Sequence, residues 1–465
     1  MCLMRTILIF LSALFLLSCS KKNLSEVIVA NSDFVMPQLM STVNVHFKID
    51  KEAINDTFNL IIDQYLDTDL AIDAMGMNVV VTKERDATME FLGTKVLTTL
   101  PIKIDVSKET IFKNITGNGL LELNFITDID IDSLWRLDTE TEMASHQWLE
   151  KPKLNLGGLA INVSSLADAI INRSKATFEK QIDLSVAEQV SFKDRMLDII
   201  KYVEEPILVD TILNSWLTVK PQNIYMSHIE NAAEFSTGNL TIHGETALSS
   251  FRPDSSVVGL ALPKFSWETN LDDTSHINMM MDISYDEINN YLIENFKGKT
   301  FKNGGKKVKI HDVHMKRSGD KLTVVSDVSG SVNGQLLVSG KPIFDNDNQV
   351  FYTEDIDIEI ATNNIIHRAG AWLFKGKIKN QLKGMLRFSI ADNLDQFQSR
   401  IDTQIEEYTV KDEVEFKADL RKLNINKFVL DNDRIHTFMT FNIFLETKIY
   451  NLGAFDNPTY FKLKN

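Results

Sequence analysis

His311 and His314 are the closest pair among nine histidines, and a metal is the chemistry such a pair suggests. At i,i+3 in a strand the two rings point to opposite faces, so shared ligation is not expected. Asp345-Asn346-Asp347-Asn348 opens like a calcium loop. Val350 then stands at the sixth position, where glycine belongs, and Ile356 at the twelfth, where the bidentate glutamate belongs. A hairpin turn fits that sequence better. Gly298-Lys299-Thr300 imitates the end of a phosphate loop, but Ile293 occupies the upstream glycine position. Gly117-Asn118-Gly119 has Glu122 where a third glycine would stand, and reads as a turn. The ladders Asp128-Ile129-Asp130-Ile131-Asp132 and Asp355-Ile356-Asp357-Ile358-Glu359 alternate like the solvated faces of strands. With no nucleophile elbow and no zinc-protease motif, neither an enzyme nor a cofactor is expected.

One charge feature runs against the composition. Arg368, Lys375, Lys377, Lys379, Lys383 and Arg387 follow one another with no acidic residue between them, in a chain of net charge −15. A solvated helix face accounts for such a run. That face is the default reading, and contact with anionic lipid headgroups or another envelope polymer is the sharper one.

Thiol chemistry has one informative placement. Arg5 precedes an apolar run from Ile7 to Leu17, too short to cross a bilayer, which takes about 20 residues. Leu16-Leu17-Ser18-Cys19 follows. This segment resembles the lipobox of bacterial lipoproteins. The resemblance implies that residues 1–18 are a signal peptide and that the Cys19 thiol carries a diacylglyceryl thioether. Residues 19–38 would then form a lipidated tether. Cys2 is the only other cysteine, so no disulfide is expected in the mature chain. From Cys19 onward, 48 basic residues face 64 acidic ones. That balance argues against nucleic acid as a partner. No acidic residue follows Cys19 closely, and the expected location is the periplasmic face of the outer membrane. The expected partners are the membrane, through the anchor, and a lipid or other hydrophobic ligand.

The elements that must carry any site come in two types. Alternation over Thr42–Asp50 places Val43, Val45, Phe47 and Ile49 on one face. The same holds for Leu100, Ile102, Ile104 and Val106, for Leu121, Leu123 and Phe125, and for Ile356, Ile358 and Ile360. Helical spacing appears over Lys51–Tyr65, Tyr285–Phe296, about 166–203 and about 364–405. In the third of these the stripe is Leu166, Ile170, Phe178, Ile182, Val186, Val190, Leu197 and Ile200. The order repeats: Ile54-Asn55 and Ile288-Asn289 match at an offset of 234 residues, each just after an alternating strand. Two similar domains are expected, 39–255 and 263–465, divided near Pro253–Pro263.

A long curved antiparallel sheet wrapped on a long helix, present twice, resembles the tubular lipid-binding (TULIP, bactericidal permeability-increasing protein-like) superfamily. The fold class expected is therefore α+β. The chain also resembles a family of bacterial envelope proteins with a domain of unknown function. That likeness rests on Glu204-Glu205-Pro206-Ile207, Ser215-Trp216-Leu217, Leu262-Pro263, Gly340-Lys341-Pro342-Ile343-Phe344-Asp345 and Ala371-Trp372-Leu373. The superfamily resemblance implies a groove able to hold acyl chains, and so a protein that binds or shuttles a lipid or other hydrophobic ligand. The other outcome is a dry core, with 27 Phe and 16 Met as filling, in a structural or assembly lipoprotein.

Overall fold

A computed structural model describes residues 23–30, 37–66, 78–108, 115–156, 158–189, 204–210, 215–249, 262–303, 305–361, 386–389 and 413–451, with scattered positions between them. The chain divides into two compact units. The first comprises Gln38–Ile277, Gln398–Arg421 and Asn442–Asn465; the second comprises Met1–Pro37, Asn278–Phe397 and Lys422–Phe441.

Strand β1 (Glu26–Val29) belongs to the second unit. The first unit begins at β2 (Met40–Asp50), which runs without a loop into α1 (Lys51–Leu66). The helix starts there because Asp50 Oδ1 accepts the free amides of Glu52, at 2.7 Å, and Ala53, at 3.3 Å. A meander follows: β3 (Asn78–Lys83), β4 (Thr88–Leu92), β5 (Lys95–Lys108), β6 (Ile115–Ile131), β7 (Leu137–Leu156) and β8 (Leu159–Asn162). These strands form one antiparallel sheet, in the order β3-β5-β6-β7-β8 with β4 on β5. Helix α2 (Ser164–Gln189) comes next, then β9 (Ile207–Asp210), β10 (Ser215–Met226), β11 (Glu230–Asn231), β12 (Phe235–Ser249) and β13 (Lys264–Trp267). In a second sheet of this unit β2 pairs β12, β12 pairs β10, and β10 pairs β13.

The second unit repeats the opening step. Strand β14 (Thr274–Ser284) runs directly into α3 (Tyr285–Phe296). Here the start is a capping box: Ser284 Oγ accepts the Glu287 amide, and the Glu287 carboxylate accepts the Ser284 amide. The second meander is β15 (Thr300–Asn303), β16 (Lys306–Ser318), β17 (Lys321–Gly330), β18 (Gly334–Asp345), β19 (Val350–Ala361) and β20 (Arg387–Ser389), paired in sequence order. Strands β21 (Val414–Leu430) and β22 (Arg434–Ile449) close the chain, and β1 lies parallel to β21 through Glu26↔Lys427 to Val29↔Leu430.

The α+β expectation, with two sheets each wrapped on a long helix, is overturned. The described residues form 22 strands in three sheets and only three helices. What recurs is a strand, a short helix and a meander. Helices α1 and α3 have 16 and 12 residues. Among the described residues one long helix, α2, lies on a sheet, that of β3–β8 in the first unit. The helix expected over 364–405 falls largely outside the described residues. Gly117-Asn118-Gly119 is also not a turn; it lies inside β6. A Cβ at Gly117 would sit 2.8 Å from Lys153 O, and one at Gly119 3.0 Å from the Trp148 ring. Glycine is used there for close approach of β7, whose register shifts between Asn118 and Leu120.

Three clusters make the cores. In the first unit Ile102, Leu121, Leu123, Phe125, Met143 and Ile171 pack together, and Ile131, Trp135, Ile200, Ile224 and Phe265 form a second group. In the second unit Tyr285, Phe344, Phe428, Leu430 and Ile435 are the centre.

Candidate functional site

Cys19 lies outside the described residues, but the chain is fixed four residues later. Asn23 O accepts the Asn346 amide at 2.9 Å. Ser25 N donates to Phe344 O at 2.9 Å, and Ser25 Oγ accepts the Phe344 amide at 2.8 Å. Strand β1 then adds to β21, and the Ala30 amide donates to Leu430 O at 3.0 Å. Ser25 and Ala30 are buried. Asp345-Asn346-Asp347-Asn348 is the turn that receives this segment. Asp345 Oδ1 accepts the amides of Asp347 and Asn348, both at 3.1 Å, so the carboxylate is spent on the turn. Asn346 is 2 % exposed and grips β21 at one residue: its Oδ1 accepts Ile425 N at 2.8 Å, and its Nδ2 donates to Ile425 O at 3.1 Å.

Of the basic run, Arg368, Lys375, Lys377, Lys379 and Lys383 lie outside the described residues. Arg387 is exposed on β20, with its guanidinium 5.5 Å above the Tyr352 ring. His311 is the extra residue of a β-bulge between Ile310 and Asp312, and its Nε2 lies 2.6 Å from Ser329 Oγ. His314 is exposed on the same strand. Ile356 and Ile358 are buried while Asp355, Asp357 and Glu359 are exposed, as the alternation requires.

Helix α2 meets its sheet through two kinds of side chain. Ile171, Phe178 and Ile182 pack on Ile102, Leu121, Leu123, Phe125 and Met143. Leu166, expected in that stripe, is instead exposed. Beside the apolar set, acidic groups reach β7. Glu179 Oε1 accepts the Met143 amide at 2.8 Å; Asp183 accepts the Thr141 amide at 3.3 Å and the Thr139 hydroxyl at 3.1 Å. Strand β8 pairs β7 only from Lys153 to Leu156, so these amides have no strand partner on that side. Acceptors on the helix satisfy them instead. Asp168 takes a 2.6 Å bond from Trp148 Nε1 and lies 3.1 Å from His146 Nε2. The indole bond, against a burial cost and with help from His146, holds this carboxyl below its usual range.

Polar positions that the sequence patterns did not single out hold the first unit's other sheet. The fully buried positions of β2 include Ser41 and Asn44, while Val43, Val45, Phe47 and Ile49 are half-buried. Asn44 N donates to Ser275 Oγ at 2.9 Å, Ser275 Oγ donates back to Asn44 O at 2.9 Å, and Thr241 Oγ1 donates to Asn44 Oδ1 at 2.5 Å. Hydrophobic alternation carries no mark of such a network. A polar residue at a would-be outward position is the only sequence sign, and any surface strand shows the same.

No helix among the described residues is long and apolar enough to cross a membrane, which leaves strands unaddressed. No curated protein matches the sequence. Among solved structures, the crystal structure of a lipopolysaccharide binding protein is similar at 11% identity, covering 90% of this chain and 100% of that one, with a TM-score of 0.29. That score is too low to support an argument about fold or ligand. The profile of the domain of unknown function DUF4403 matches residues 40–448, and the chain belongs to that family.

Proposed function

We propose that this protein is an envelope lipoprotein, held on a membrane through Cys19, that binds or transfers a lipid or another hydrophobic ligand without catalysis. The lipobox-like Leu16-Leu17-Ser18-Cys19 supports the anchoring part, and the fold adds a constraint to it. The segment behind Cys19 is built into the second unit from Asn23 to Ala30, not left as a free leash. Four residues span at most about 14 Å, so an acylated Cys19 would keep that unit next to the bilayer. The periplasmic face of the outer membrane remains the proposed location. Metabolic labelling with a radioactive or alkyne fatty acid tests the anchor. Label retained in Cys19→Ser would sink it.

A second reading has its own support. Ile171, Phe178 and Ile182 of α2 pack directly on the apolar face of the sheet. A helix packed this way suits a scaffold with a dry core and a protein partner. Native mass spectrometry of the non-acylated chain separates the two. Co-purified lipid favours ligand binding; a clean protein mass with no uptake of fluorescent lipid favours the scaffold.

A further inference from the structure

Residues 149–166 of the first unit include four exposed large apolar side chains. Leu149, Leu159, Ile161 and Leu166 are 44, 69, 41 and 41 % exposed, all within residues 149–166. Leu159 and Ile161 lie on β8 of the β7–β8 hairpin, whose turn contains Gly158, the amide of which donates to Asn155 Oδ1 at 3.0 Å. The register pairs Leu154 with Ile161, and Leu159 lies two residues before Ile161 on the same strand, so these three positions share one face of the hairpin. Lys151 and Lys153, both exposed, occupy the other. Val163 N donates to Pro152 O at 3.0 Å and closes the base. Between Glu150 and Asp168 the chain has no acidic residue, although the protein as a whole carries −15.

We infer that this hairpin is a bilayer-contacting tip, seated in the interface of an anionic membrane. A short hairpin with exposed leucine and isoleucine on one face and lysines on the other matches both layers of that interface. The aliphatic groups enter the acyl boundary, and the ammonium groups stay with the phosphates. Scattered surface leucines are ordinary; exposed Leu159 and Ile161 on one face, with Lys151 and Lys153 on the other and no acidic residue from 151 to 167, mark a contact surface. Strand β8 is also the last strand of its sheet, and its outer edge has no strand partner among the described residues. A second copy adding a strand there is the competing occupant. The local positive charge favours the membrane: two copies would bring their lysines together. The contact does not require acylation of Cys19.

The test uses the mature chain from residue 19 with Cys19→Ser, so that no lipid is attached. Sedimentation with vesicles of phosphatidylglycerol and phosphatidylethanolamine is expected to carry it down, less so in high salt. Leu159→Asp with Ile161→Asp is expected to lower partitioning at least ten-fold, with the far-ultraviolet spectrum of the parent retained. Leu134→Asp, at another exposed leucine, is the matched control. A nitrobenzoxadiazole dye on Ala160→Cys should brighten with vesicles, and the same dye on Asn333→Cys should not. Equal sedimentation of the double variant overturns the proposal. So does an unresponsive dye at position 160. A native dimer mass that the double variant abolishes, without vesicle binding by the parent, assigns the hairpin to a second copy instead.

Discussion

Asn55 and Asn289 stand at the fifth position of their helices and make the same bond. Asn55 Oδ1 accepts the Met89 amide of β4 at 2.7 Å, and Asn289 Oδ1 accepts the Met315 amide of β16 at 2.6 Å. The Ile-Asn match at an offset of 234 residues thus corresponds to a shared structural task. Each short helix is tied to the meander that follows it by one side-chain oxygen.

Asn55→Ala and Asn289→Ala are each expected to destabilise the protein by about 1–3 kcal/mol, since each leaves a partly buried amide without its acceptor. Asn290→Ala, exposed one position along α3, is the control and should change stability by less than about 0.5 kcal/mol. Chemical denaturation monitored in the far ultraviolet reads both. Equal effects of Asn289→Ala and Asn290→Ala would contradict the shared role.

The N-terminal segment gives a second prediction. Ser25→Ala removes the acceptor of the Phe344 amide in a buried setting and should cost about 1–3 kcal/mol. Amide exchange at Phe344 should quicken, with little change at residues of the β3–β8 sheet. Exchange that is unaltered at Phe344 would show that the segment is not fixed there in solution.

The acidic face of α2 gives a third. Glu179→Ala should expose the Met143 amide to exchange, whereas Glu179→Gln keeps an acceptor oxygen and should restore most of the protection. A failure of glutamine to rescue would mean that charge, and not edge coverage, is the role of Glu179.

Asp168 supplies the pH dependence. Its carboxyl is held below the ordinary 3.8 of an aspartate, chiefly by the Trp148 indole. A depressed folded-state value stabilises the fold above the unfolded value, and that contribution is lost as pH falls through the folded one. The melting-temperature gap between the parent and Asp168→Asn should therefore be widest above about pH 4 and shrink below it. A gap that stays constant from pH 7 to pH 3 would remove Asp168 from the acid limb. With its side chain 40% exposed, solvent screening keeps the effect modest.

The sequence by itself determined the elements that obey a local rule. The limits of α3, the start of α1 and the apolar faces Leu121-Leu123-Phe125 and Ile356-Ile358 follow from spacing and capping, which act within a few residues. The turn at Asp345–Asn348 is equally local. Tertiary structure alone decided the rest. Gly117 and Gly119 serve close strand approach because β7 passes there, some 30 residues away in sequence. Ser25, Asn44 and Asn346 are buried because their partners lie 319, 231 and 79 residues along the chain. Helical spacing near 166–203 predicted an apolar stripe, yet packing turned Leu166 outward and brought Glu179 and Asp183 onto β7. A free strand edge needs acceptors as much as a sheet face needs cover, and that need arises only when the sheet exists.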